Sequence, residues 1–252
     1  MKRLILLAFA SFALVLQPVR AQRRDSLYTA SEQLRWQALI VPGTLVGAGT
    51  MAAFSPWFRQ AVNEPVRDWT KKLPGSGGYA FENILQYVPV GAYTCAALCG
   101  AGEEHGRWER VLAAGTAALA VSALSHSIKY LAQVERPSGA ATDSFPSGHT
   151  CTAFMGAELI RLEFGPWWGF GAYSLAFFTA AMRVYHNWHW TSDLLCGAGL
   201  GILGARVGYW LLPWERKVFG LDAKASLHPS ALPYFAPAPD GTCYGVSLAF
   251  SF

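Results

Sequence analysis

Six apolar stretches divide this 252-residue chain, and their length constrains the fold more than any other feature. They run over Gln37–Phe54, Ile84–Ala101, Trp108–Leu131, Thr150–Phe164, Trp167–Val184 and Leu194–Leu212. A helix needs about 20 apolar residues to cross a bilayer, and each stretch is near that length. Pro42 and three glycines interrupt the first, and Glu158, Arg161 and Glu163 enter the fourth. Charged residues make up only 14%, where a soluble domain carries about 25%. Nine of the ten tryptophans lie at or just beyond a segment edge, as in an interfacial belt, and only Trp69 falls in a longer connection. The expected fold is all-α, a polytopic membrane helical bundle of about six transmembrane helices over residues 37–214.

The flanks read differently. Residues 1–21 open with Lys2 and Arg3 before a short apolar core, the pattern of a secretory signal peptide or an uncleaved anchor. Residues 22–36 are a polar stretch. Residues 55–80 form a mixed connection suited to an amphipathic segment on the membrane surface. Residues 215–252 form a Pro-rich tail, read as a strand or coil. In the last apolar stretch Gly197 and Gly201, then Gly204 and Gly208, make faces for close helix packing. Arg206 in that stretch is expected to snorkel to the interface opposite the site. Four of the five cysteines (Cys95, Cys99, Cys151 and Cys196) fall in apolar runs and read as small buried residues, not as a metal or disulfide set. The net charge of +4 is scattered, which argues against a nucleic-acid partner. No obligate protein partner is evident.

The polar residues are few and concentrated. Lys129 ends the third stretch, Ser147, Gly148 and His149 open the fourth, Arg183 ends the fifth, and His189 and Asp193 flank the start of the sixth. In an up-and-down bundle those four ends lie on one side, so these residues converge at one interface. Lys129, Arg136 and Arg183 are three cations without acidic partners of equal number, which suits a multiply charged anion such as phosphate. A helix opening at Ser147-Gly148-His149 offers free N–H groups to the same anion. Two histidines supply nucleophilic and acid-base chemistry, and Asp193 can orient the His189 ring. His126 and Ser122 read as buried packing near Lys129, and His186 as a surface residue.

These residues stand as Lys129 with Arg136-Pro137, then Pro146-Ser147-Gly148-His149, then Arg183, His189 and Asp193. The set resembles the three-part signature of the type 2 phosphatidic acid phosphatase family, shared with vanadium haloperoxidases. One departure is Met182, where the family usually has serine. The resemblance implies that His189 attacks phosphorus, Asp193 orients it and His149 protonates the leaving oxygen. It implies that Lys129, Arg136, Ser147, Gly148 and Arg183 hold the phosphoryl oxygens, with no metal and no cofactor. The implied partner is a lipid phosphate in the bilayer. Among bacterial lipid phosphatases the resemblance favours lipid A and its 4′-phosphate, with undecaprenyl diphosphate, phosphatidic acid and phosphatidylglycerol phosphate as alternatives. From other classes, a vanadate-binding haloperoxidase and a transporter are the competing readings.

The implied location is the bacterial inner membrane, with the site facing the periplasm. A cleaved signal followed by six spans would put the site in the cytoplasm. More arginine and lysine fall on the side opposite the site, which argues for the periplasm. A re-entrant first stretch, suggested by Pro42, would reconcile the two.

Overall fold

The computed structural model describes residues 31–75, 81–101, 105–221, 228–238 and 241–251, the last two as backbone strands. The signal-like residues 1–21 and most of the polar stretch lie outside the described residues. The chain divides into two units, Met1–Pro213 and Trp214–Phe252.

The first unit is helical, and every apolar stretch forms helix. Helix α1 is Gln37–Phe54, and α2, Pro56–Phe58, runs through a π-helical turn, Arg59–Asn63, into α3, Glu64–Thr70. Helices α4 and α5 are Glu82–Leu85 and Val88–Leu98. Then come α6, Arg107–Ala132; α7, Gly148–Phe164; α8, Pro166–Tyr185; and α9, Thr191–Phe219. By length and composition, three of these are able to cross a membrane: α1, α6 and α9. The second apolar stretch does not make one long helix. It breaks at Gln86-Tyr87, just before Pro89 enters the first turn of α5. The first stretch is one helix, and α1 continues through Pro42.

Local chemistry sets the helix ends. The Glu109 carboxylate reaches back to accept the Gly106 N–H at 2.6 Å, opening α6. Gln133, at φ 44°, closes that helix in the left-handed region and turns the chain into the Arg136 loop. Ser147 caps α7 by accepting the Thr150 N–H at 3.4 Å. Gly165, at φ 88°, ends α7, and Pro166 starts α8 at once, giving a joint one residue long.

Helix α9 is central because its glycines let three helices approach. A Cβ at Gly197 would lie 2.8 Å from the Ser147 carbonyl oxygen of α7, and one at Gly199 would lie 2.7 Å from the Pro42 carbonyl oxygen of α1. Gly204 and Gly208 face Val121 and Ala113 of α6 in the same way. The core around them holds Tyr93, Val121, Phe145, Met155, Leu159, Leu200, Tyr209 and Leu212.

Two carboxylates of the fourth stretch are buried inside this bundle, and each has partners. Glu158 accepts from Arg161 Nε at 2.6 Å, Tyr173 Oη at 2.7 Å and Arg206 Nη2 at 2.9 Å. Arg206 therefore turns inward and does not snorkel, since a lone buried carboxylate would cost several kcal/mol, roughly. Glu163 accepts from His105 Nδ1 and Tyr209 Oη, both at 2.8 Å. The cysteines split: Cys151 and Cys196 are buried, but Cys95 on α5 and Cys99 just past its end are exposed.

In the second unit the tail forms an antiparallel hairpin, β1 His228–Ala238 with β2 Gly241–Ser251, registered with His228 opposite Ser251. Pro229, Pro233 and Pro237 are even steps apart, so their missing N–H groups fall on one edge of β1. The alternate residues remain free to donate to β2.

Candidate active site

The end of α6, the start of α7, the end of α8 and the start of α9 bring the eight candidate residues into one connected cluster. His189 sits in the turn between α8 and α9 and is 2% exposed. Its Nδ1 lies 2.7 Å from the Ser144 carbonyl oxygen and 3.4 Å from Asp193 Oδ2. A carbonyl only accepts, so Nδ1 carries the proton and Nε2 keeps a free lone pair. The ring is thus held mainly by a backbone carbonyl, with Asp193 as the longer partner. Asp193 is fully buried. Its Oδ2 also accepts from Ser144 Oγ at 2.5 Å and from the Trp190 N–H at 2.9 Å. The carboxylate therefore locks the Ser144 loop to the start of α9 as well as facing the histidine.

His149 Nε2 lies 2.8 Å from Asn83 Oδ1, and Arg183 Nη1 lies 3.1 Å from the same oxygen. Arginine only donates, so this atom of Asn83 is oxygen and His149 Nε2 bears the proton. Burial, and then the charges of Arg183, Arg136 and Lys129 and the neighbouring His189, push His149 down to about 3. His189 is also lowered, by burial first, against the opposing pull of Asp193. Without an anion in the cradle both rings are therefore neutral at pH 7.

The cations are not unpartnered as the sequence suggests. Arg136 forms a two-point contact with Asp143, Nε to Oδ1 at 2.7 Å and Nη2 to Oδ2 at 3.0 Å. Lys129 Nζ donates to the Asp143 carbonyl oxygen. Arg183 Nη1 lies 3.3 Å from Glu82 Oε1, which also accepts from His186 Nδ1 at 2.8 Å. His186 is accordingly a buried partner of Glu82, not a surface residue. Burial tends to raise Asp143, but the Arg136 contacts outweigh it and hold the carboxyl below its usual range. The guanidinium carbons of Arg136 and Arg183 each stand 5.4 Å from the Trp188 ring centre, so one indole backs both.

Ser147 is fully buried, and its hydroxyl faces Thr150, with Thr150 Oγ1 at 3.0 Å. What it offers the site is the helix opening. Among the described residues the Gly148 and His149 N–H groups have no partner, and a Cβ at Gly148 would meet nothing within 4 Å. That leaves room and donors for an anion at the α7 N-terminus. His126 is exposed, with Nδ1 2.8 Å from the Ser122 carbonyl oxygen, and is not core packing.

Glu82, Asn83, Asp143, Ser144 and Trp188 complete the cluster, and no motif or spacing in the sequence marks the first four. Arg183 and Glu82 are about a hundred positions apart in the chain, so no local spacing announces them.

Residues 110–217 match the model of the PAP2 superfamily. That segment is similar to the PAP2 superfamily. The match contains all eight candidate residues, Lys129 to Asp193. A curated relative, the lipid A 1-phosphatase of Porphyromonas gingivalis, is 36% identical over 154 residues. That alignment covers 60% of this chain and 35% of the relative, so this chain spans about a third of that protein. The crystal structure of Aquifex aeolicus LpxE is similar at a TM-score of 0.47 and 20% identity, over 58% of this chain and 94% of that one. The likeness to the PAP2 superfamily thus rests on the sequence match.

Proposed function

We propose that this PAP2 protein is a membrane lipid phosphatase that removes a phosphate from lipid A through a phosphohistidine on His189. The observation that carries the reading is the His189 Nδ1 bond to the Ser144 carbonyl, which leaves Nε2 its lone pair on a ring that feels the charges of Lys129 and Arg183. Nε2 attacks phosphorus, the bond to the lipid oxygen breaks, and that oxygen takes the proton from His149 Nε2. A water then gives a proton back to His149 and attacks the phosphoryl group, releasing phosphate and restoring His189. An anionic phosphate in the cradle raises His149 from its low anion-free value, so the acid is charged when it is needed. Lys129, Arg136, Arg183 and the Gly148 and His149 N–H groups stabilise the charge that builds on the oxygens.

The motif resemblance pointed to the 4′-phosphate of lipid A. The Porphyromonas relative is a 1-phosphatase by name, and we therefore take the 1-phosphate as the first substrate and the 4′-phosphate as the comparison. The site is proposed to face the periplasm from the bacterial inner membrane. The test is mass spectrometry of lipid A after incubation with detergent-purified protein and with His189→Ala, in EDTA. Loss of one phosphate by the native protein alone supports the reading. An unchanged lipid A, together with unchanged undecaprenyl diphosphate and phosphatidic acid, would reject it.

A further inference from the structure

His189 stands between two tryptophans, and each carries two guanidinium groups. Trp188 backs Arg136 and Arg183 of the phosphoryl cradle. Trp190 backs a second pair, Arg59 at 5.4 Å and Arg67 at 5.7 Å from its ring centre. Neither arginine of the second pair belongs to the three-part signature.

The second pair is held firmly beside the nucleophile. Both arginines come from the helical segment spanning α2, the π-turn and α3. Buried Asn63, between them, donates to Ser192 Oγ at 3.2 Å and accepts from Thr191 Oγ1. Thr70 Oγ1 donates to Asn187 Oδ1 at 3.2 Å. Those two anchors bracket His189 in the chain. Arg67, Asn63, Pro137, Trp190 and His189 line one narrow cleft, so Arg67 borders the same cleft as the nucleophile, while Arg59 reaches the pair through the Trp190 ring. Arg59 pairs with Glu64 at 3.5 Å and Arg67 with Asp68 at 2.9 Å, through Nε in each case, and both carboxylates are solvent-facing, with side chains 37% and 58% exposed. Trp57 and Trp69 of the same segment are exposed, as suits contact with lipid headgroups.

We propose that Arg59 and Arg67 form a second anion subsite, which holds a further phosphate or carboxylate on the headgroup of the lipid whose phosphoryl group His189 attacks. The proposal rests on the lipid-phosphatase reading and narrows its substrate class to lipids with two separated anionic groups. Lys129, Arg136 and Arg183 are spoken for by one phosphoryl group, so two more guanidiniums on the neighbouring Trp190 ring, one of them lining the His189 cleft, suit a second anion.

The test uses the full chain in uncharged detergent micelles, which removes the attraction of an anionic bilayer. Diphosphorylated lipid A is compared with each monophosphorylated form, for the native protein, Arg59→Gln/Arg67→Gln and Arg59→Lys/Arg67→Lys. Binding of the same lipids is measured in a His189→Ala background. The expected result is a preference for the diphosphorylated lipid that falls about tenfold or more in the Gln variant, through KM and not kcat, and that Lys largely restores. Equal losses on all three lipids would make the pair a brace for the His189 turn and overturn the proposal. So would an unchanged preference, which would leave the arginines to contact the bilayer surface. If the native protein releases no phosphate, the phosphatase reading fails, and the binding preference in the His189→Ala background still decides the subsite.

Discussion

Replacing Asp193 by Asn separates two roles that one carboxylate can play toward a histidine. In this protein the ring's shorter bond goes to the Ser144 carbonyl at 2.7 Å, and Asp193 Oδ2 stands at 3.4 Å. The tautomer therefore survives the loss of charge. What is lost is the negative charge that steadies His189 as it becomes a cationic phosphoimidazole. A charge-assisted hydrogen bond is worth about 1.5–3 kcal/mol, and the long contact argues for about 2 kcal/mol. At 1.36 kcal/mol per factor of ten, Asp193→Asn should lower kcat about 30-fold. An aspartate that alone sets a catalytic tautomer costs on the order of 10⁴-fold when made Asn. The assay is the initial rate of phosphate release from lipid A, with Tm checked to confirm folding. A fall near 10⁴ would refute the carbonyl-held ring, and a fall under about threefold would refute any electrostatic role for Asp193.

Three further outcomes follow from the buried charges. His189 must be neutral to attack, and its pKa is lowered, so the acid limb of kcat/KM should lie below the ordinary histidine value of about 6.5; a limb above that value contradicts the site. His105 is raised to about 9, because the Glu163 and Glu32 carboxylates outweigh the opposing effect of burial. Its contribution, about 3 kcal/mol, is fully present below pH ~6.5 and is lost as pH rises toward 9, so Tm should fall across that window and His105→Gln should flatten the slope. Arg206→Met removes one of three donors to buried Glu158 and should cost about 3 kcal/mol, read as a lower Tm; an unchanged Tm would mean that Arg161 and Tyr173 suffice.

The helices were legible where the signal is local. Apolar length placed α1 at its observed bounds and α6 and α8 to within a residue or two, because an uninterrupted apolar run has few alternatives to helix. The same rule missed the break between α4 and α5, where Pro89 interrupts an otherwise suitable run. The gathering of Lys129, His149, Arg183 and His189 also followed from the alternation of segments. Their partners did not. Glu82 reaches Arg183, Asn63 reaches Ser192 and Glu158 reaches Arg206 across long stretches of chain, and a carboxylate in an apolar run says only that some cation must come to meet it. The tryptophans misled in a similar way. An edge position suits an interfacial belt, but Trp188 backs two arginines, and Trp190 is buried beneath two more with its Nε1 donating to the Glu135 carbonyl at 2.7 Å.

The most direct test of the account is to trap the phosphoryl group itself. The protein would be mixed with ³²P-labelled lipid A, quenched in alkali within the first turnovers, and its peptides mapped. The account predicts label on the peptide containing His189 and none in His189→Ala. Phosphate release that proceeds with no labelled histidine, or that persists in His189→Ala, would contradict it.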